Sequence, residues 1–446
     1  MDGFMSPLTR DNARCDPRPV ASAAWHSLLW LVVANAIGVM LGLLLLFPAL
    51  NRLLGEWTYG RWMMVHMNLE LYGWTALPLV GFLFKAYGAD RGSFAKWCRP
   101  VLWAWSAALV VGSLSWLSGH SSGKLFLDWS GYSRIVFPAS LIALWLLLLF
   151  AFIAGSWESR KAELKAQAAK LLGLSILLAV PIVIYIAANP GTYPAVNPAT
   201  GGPTGTSQLE SSLAIVLILL MLPFGITRRR AGRSRGIAIA WIVLLAESLL
   251  CATLSRADVS YHRPAQYLCL GSLLVWLPLT PAYYAAFEWH SNTRQWKFAF
   301  HCWWATLVVT GWIFFLPPVL DRYKFTDALV GHSFIATAGF TSSLLVFVMV
   351  QLLGEGGWIF NRARSFYVCQ ASVIGYIAVM IAAGTFESVD PAFTIVPGVA
   401  RNVLYSIRLV TGILMLVASL DWLVDASSLL NEVVPVPAEI PQEKTA

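Results

Sequence analysis

Charge is scarce in this chain. Of 446 residues only 12% are Asp, Glu, Lys or Arg, and 58% are hydrophobic, whereas a soluble domain carries about 25% charged residues. That scarcity excludes a large water-facing surface and points to a membrane protein with many spans. A cleavable leader is also missing. The first 20 residues are polar, with Arg10, Arg14 and Arg18, and the first apolar run is too long for a signal peptide. The six cysteines (Cys15, Cys98, Cys251, Cys269, Cys302, Cys369) contain no CxxC pair, which excludes a zinc ribbon and a thioether-linked cofactor. Most lie in apolar runs and read as small buried hydrophobes. No internal repeat and no soluble domain stands out.

What the chain does have is apolar runs long enough to cross about 30 Å of hydrocarbon. Twelve can be marked, near 24–48, 62–86, 100–117, 135–155, 170–188, 208–226, 236–255, 266–287, 299–318, 328–353, 367–384 and 403–424. The expected fold is an all-α polytopic bundle. It has a tail over 1–20, one transmembrane domain over 21–427 and a disordered tail over 428–446. With the N-terminus inside, 21 of the 31 Lys and Arg residues fall on the inner side and 9 on the outer, with Arg408 inside the last helix. That asymmetry predicts an even number of spans with both termini cytoplasmic, as in a bacterial inner membrane.

Seven histidines are distributed unevenly. His26, His290 and His301 lie near inner ends or loops, and His120 and His262 lie in outer loops. His66 and His332 alone sit within helices near the outer face. Each is about four residues deep, roughly 6 Å of rise. Two imidazoles at one depth can face each other across a cofactor, or each can be a core histidine bonded to a carbonyl. Glu70 follows His66 by one turn, on the same helical face, placed to orient the ring or to pair with another helix. Polar groups of this kind inside a membrane are rare and tend to mark function.

Twelve spans, His66 early in the second and "FTDALVGHSFIATAGF" opening the tenth resemble the catalytic subunit I of haem–copper oxidases, nearest the C-type or cbb-type cytochrome c oxidases. Thr326, Asp327, Gly331 and His332 fit that family's TD-x3-[AG]HxH motif. "YSIRLVTGILMLVASLDWL" resembles its closing helix. The resemblance covers the whole chain in layout and is specific around helices 2, 10 and 12. It implies respiratory electron transfer, haem b in one site or two, and an axial role for His66 and His332. It also implies a separate cytochrome c-type or copper donor subunit and further respiratory-complex partners.

The departures are as informative. The motif reads His332-Ser333-Phe334, so phenylalanine stands where the family's second low-spin haem ligand belongs. Helices 6 and 7 contain no histidine, and neither contains a tyrosine for a His–Tyr cross-link. Copper needs several imidazole donors, and Ser207, Glu210, Glu247 and Cys251 are not an equivalent set. No copper and no copper-dependent oxygen reduction are expected. Three arrangements remain open: one haem shared by His66 and His332, a five-coordinate haem on His332 that binds a diatomic gas, or a haem-free scaffold.

Other residues have narrower readings. Arg401, Arg408 and Lys324 lie at the outer side, where haem propionates would need donors. They can equally be flanking charge, although the depth of Arg408 calls for a partner. Glu70 and Glu247 are intramembrane carboxylates, suited to a proton relay or to a structural hydrogen bond. His120, His262, Asp128 and Asp258 make a weak surface-metal pattern. "RRRAGRSR" is accounted for by an inner loop rather than by nucleic-acid binding. Trp62, Trp97, Trp129, Trp296 and Trp358 read as interfacial anchors. The rival function classes are an assembly scaffold of a respiratory complex and a transporter. The latter is disfavoured because no pair of interrupted spans appears in corresponding halves.

Overall fold

In hydrocarbon only a helix satisfies its own N–H and C=O groups strand by strand, and each apolar run does become helical. The computed structural model describes residues 18–124, 126–158, 164–196, 209–254 and 263–431. Among them there is no strand; an isolated bridge joins Arg229 and Phe287. We number the rods α1 (Arg18–Leu46), α2 (59–87), α3 (Ala95–Leu117), α4 (Ser133–Glu158), α5 (Leu164–Ala187) and α6 (Leu209–Ile226). They continue as α7 (Ser234–Leu254), α8 (Pro264–Tyr284), α9 (Arg294–Phe314), α10 (327–353), α11 (Ala363–Glu387) and α12 (Val399–Asn431).

By length and composition nine of the described helices can cross a membrane, or ten if α9 is counted together with the short helix Pro317–Tyr323, from which it bends by 92°. The expected twelve spans are therefore met only in part. The apolar α6 is shorter, and α2 carries Arg61, Glu70 and Lys85. α1 starts at Arg18, inside the expected tail, and α12 continues to Asn431. Residues 432–446 of the expected C-terminal tail lie outside the described residues, as do Ser207, Asp258 and His262.

Five rods close a ring that positions the candidate site. α12 packs on α1 and α11, and α11 packs on the first part of α10. The inner part of α10 packs on the inner part of α2, and α2 returns to α1. The outer parts of α2 (59–68) and α10 (327–334) are not so packed, so the two rods open toward the end that the charge count places outside. At the base of the opening Trp74 Nε1 donates to Ser342 Oγ at 2.8 Å.

Both rods change pitch at the same place. α2 widens to a π-helix over Leu69–Thr75, and α10 does so over Ile335–Thr341. Each widening begins three residues after its histidine. The segments align as "HMNLELYGWT" and "HSFIATAGFT", sharing His, an aliphatic residue, Gly, an aromatic residue and Thr at equal spacing. The packing partners repeat as well. A Cβ added at Gly73 would lie 2.5 Å from Trp30 of α1, and one at Gly339 would lie 2.6 Å from Trp303 of α9. The α1–α2 and α9–α10 pairs are therefore two copies of one motif, which corrects the reading that the chain has no internal repeat. π-Segments are costly and recur at functional sites.

Close backbone approach also joins α10 to α11. A Cβ at Gly384 would lie 2.1 Å from the Ala328 backbone nitrogen, an atom that cannot rotate away. Gly384→Ala is expected to destabilise the bundle by about 3 kcal/mol through overpacking, seen as a lower unfolding midpoint in detergent. An unchanged midpoint would mean that the helices separate freely here.

Candidate functional site

The site is built on the two copies of the motif. His66 is the eighth residue of α2 and lies against α1. Its Nδ1 is 2.8 Å from the Ala34 carbonyl oxygen. A Cβ at Gly38 would come within 2.9 Å of His66 Cε1, so the imidazole rests on bare α1 backbone. His332 repeats this arrangement against α9. Its Nδ1 is 3.3 Å from Thr310 Oγ1, its ring stacks on Phe314 at 5.1 Å between centroids, and Gly311 faces its Cε1. In both rings Nδ1 is engaged by the preceding helix, and Nε2 has no hydrogen-bond partner among the described residues. A neutral imidazole held through Nδ1–H to a carbonyl offers Nε2 as a metal ligand.

His66 packs on α1, and His332 packs on α9. Phe334, two residues on, points to the α11 side and stacks on Tyr376 at 4.2 Å. Successive side chains two apart on a helix point to nearly opposite faces. Among the described residues the two rings make no contact with each other, and each has its own packing partners.

Glu70 does not hold the His66 ring. Ala34 occupies that role, 32 residues away in sequence, and no hydrogen bond or ion pair to the Glu70 carboxylate is found among the described residues. Glu70 is half-buried in the widened turn, where the π pitch changes the one-turn register assumed from the sequence.

Arg408 has the partner its depth demanded. Nε donates to Tyr376 Oη at 2.8 Å, and Nη1 lies 3.8 Å from Asp327 Oδ2. Tyr405 Oη donates to the same Asp327 oxygen at 3.2 Å, and the Asp327 backbone N–H donates to Glu387 Oε2 at 2.5 Å. Asp327, Glu387, Arg408, Tyr376 and Tyr405 thus tie the outer ends of α10, α11 and α12 together. Sequence reasoning found Asp327 and Arg408 but missed Tyr405, three residues before Arg408 on α12, and Tyr376 and Glu387, which lie on α11 with no local signal.

Arg401 is spent on the chain itself. It is buried, and its guanidinium donates to the Thr394 and Leu45 carbonyls, each at 2.8 Å, and to Asn402 Oδ1 at 3.1 Å. It clamps the start of α12 to the end of α1 instead of offering an open anion site. Lys324 precedes α10 with its ammonium 5.2 Å from the Phe325 ring centroid.

Glu247 is a structural acceptor. Trp276 Nε1 donates to Oε2 at 2.5 Å from α8, while the buried Oε1 has no partner. Trp276→Phe removes that donor and is expected to cost about 1–3 kcal/mol, the penalty of an unsatisfied buried acceptor. Thermal unfolding checks it, and Trp276→Phe combined with Glu247→Leu should recover most of the loss. Among the described residues no group of three or more His, Cys, Asp or Glu could hold a metal ion. Asp128, proposed for an outer surface site, is buried and accepts from Ser121 and from both the backbone and hydroxyl of Ser122. Nearby Lys124 is buried, with Nζ donating to the Ala187 carbonyl at 2.5 Å. Burial pushes its ammonium below the usual lysine range, and Asp128 partly restores it.

Two of the expected interfacial tryptophans are core residues instead. Trp129 stacks on Phe137 at 3.8 Å, and Trp296 donates to the Phe360 carbonyl. Both are fully buried, whereas Trp97 is 56% exposed. Set beside protein-family models and curated proteins, the chain has no match.

Proposed function

We propose that this chain is a membrane haem protein of the oxidase subunit I type, with twelve spans and both termini cytoplasmic. In this reading it carries electrons or binds a diatomic gas and does not reduce oxygen at copper. The observation that carries the reading is that two imidazoles in equivalent packing each commit Nδ1 to the preceding helix and keep Nε2 for another ligand. His66 and His332 would each hold a haem b through Nε2. The haem would supply the redox change or the gas-binding iron; the chain would orient the rings through Ala34 and Thr310. A separate donor subunit, cytochrome c-type or copper-bearing, would deliver electrons.

The second reading is a haem-free scaffold of a respiratory complex. What favours it is that Phe334 is stacked on Tyr376 and that Arg401 and Arg408 are already satisfied within the chain. Transport has gained one supporting feature, the paired π-segments, but these remain helical and present no broken helix ends.

Absorbance of protein purified from haem-replete cells, with metal analysis, separates the readings. A Soret band with iron and no stoichiometric copper is expected. A colourless, folded protein would leave the scaffold.

A further inference from the structure

The geometry points to a binding site for an anionic phospholipid whose headgroup carries a hydroxyl, at the end of α8 and α9 that the charge count places inside. A cavity of about 940 Å³ opens there, between the end of α8, the turn Ser291–Thr293, the first two turns of α9 and Asn361, two residues before α11. Arg294 and Lys297 line it from one face of α9, three residues apart. No carboxylate lines it, and neither cation is in an ion pair among the described residues. A basic pocket between spanning helices at the cytoplasmic surface suits a lipid phosphate.

Two unmet hydrogen bonds sharpen the chemistry. Gln295 Nε2 is a buried donor with no partner, and Asn361 Oδ1 is a buried acceptor with no partner. Both residues line the cavity. A side-chain rotation into the cavity brings the first to a phosphate oxygen and the second to a headgroup hydroxyl. A glycerol headgroup supplies both, whereas choline supplies no donor. Phe298 is 71% exposed on the same wall, placed to meet an acyl chain, and the Tyr284 ring closes the floor. The site is independent of the haem reading, since none of its residues touches His66 or His332.

The test uses the full chain, delipidated and returned to nanodiscs of phosphatidylglycerol mixed with phosphatidylcholine, with retained lipid read by native mass spectrometry. Phosphatidylglycerol is expected to be retained in preference to phosphatidylcholine. Arg294→Ala with Lys297→Ala should weaken that retention about thirtyfold, the combined effect of two interfacial cations. Arg294→Lys with Lys297→Arg keeps both charges and should retain the lipid, which guards against mere misfolding. Asn361→Leu should lower the preference for phosphatidylglycerol over phosphatidic acid. Equal retention of phosphatidylcholine, or unchanged retention in the double alanine variant, would overturn the proposal. So would inorganic phosphate competing as well as the lipid, which would make this a free-anion site.

Discussion

In the proposed haem reading, His66→Ala and His332→Ala are each expected to remove about half of the haem absorbance, and the double variant all of it. The reason is geometric. The His66 ring rests on Gly38 and is bonded to Ala34, whereas the His332 ring rests on Gly311 and is bonded to Thr310. The two imidazoles have separate packing partners, so in this reading each would hold its own haem. Such a haem would supply a gas-binding iron, and the reduced protein should then take up carbon monoxide. Haem quantified per chain as the pyridine complex, with spectra of the reduced protein, decides it. A split bis-imidazole band, or complete bleaching by either single variant, would mean that α10 turns to bring both rings onto one haem. In that case the two-site arrangement fails.

Arg408→Leu should produce the largest loss of stability. Removing one partner of a buried ion pair strands the other charge, at a cost of about 3–5 kcal/mol. Here Asp327 would keep the Tyr405 hydroxyl but lose its cation while still beside Glu387. The outer ends of α10, α11 and α12 would lose their common tie. Unfolding in detergent is the measurement, and the double variant Arg408→Leu with Asp327→Leu should regain most of the loss, because both charges are then gone. If the single and double variants unfold alike, the pair contributes nothing, and Arg408 acts through its hydrogen bond to Tyr376 and its ring contacts with Tyr376 and Tyr405.

Some of this was legible in the residues. An apolar run of twenty residues has one way to satisfy its backbone in lipid, so the helices appear where the runs lie. His66, Glu70, Asp327, His332 and Arg408 stand out because polar groups are rare in such runs. The repeat did not stand out, because three identities in ten positions are too few until Trp30 and Trp303 are seen filling the same space over Gly73 and Gly339.

The sequence by itself determined the helical class and the ends of most rods, since these depend on hydropathy. The tertiary structure alone decided where those side chains point and which groups they meet. Ala34, Thr310, Tyr376 and Glu387 come from helices far away in sequence, and the direction in which a ring faces is set by packing between helices. Periodicity within one helix records that a residue is inside, but not which neighbour it touches.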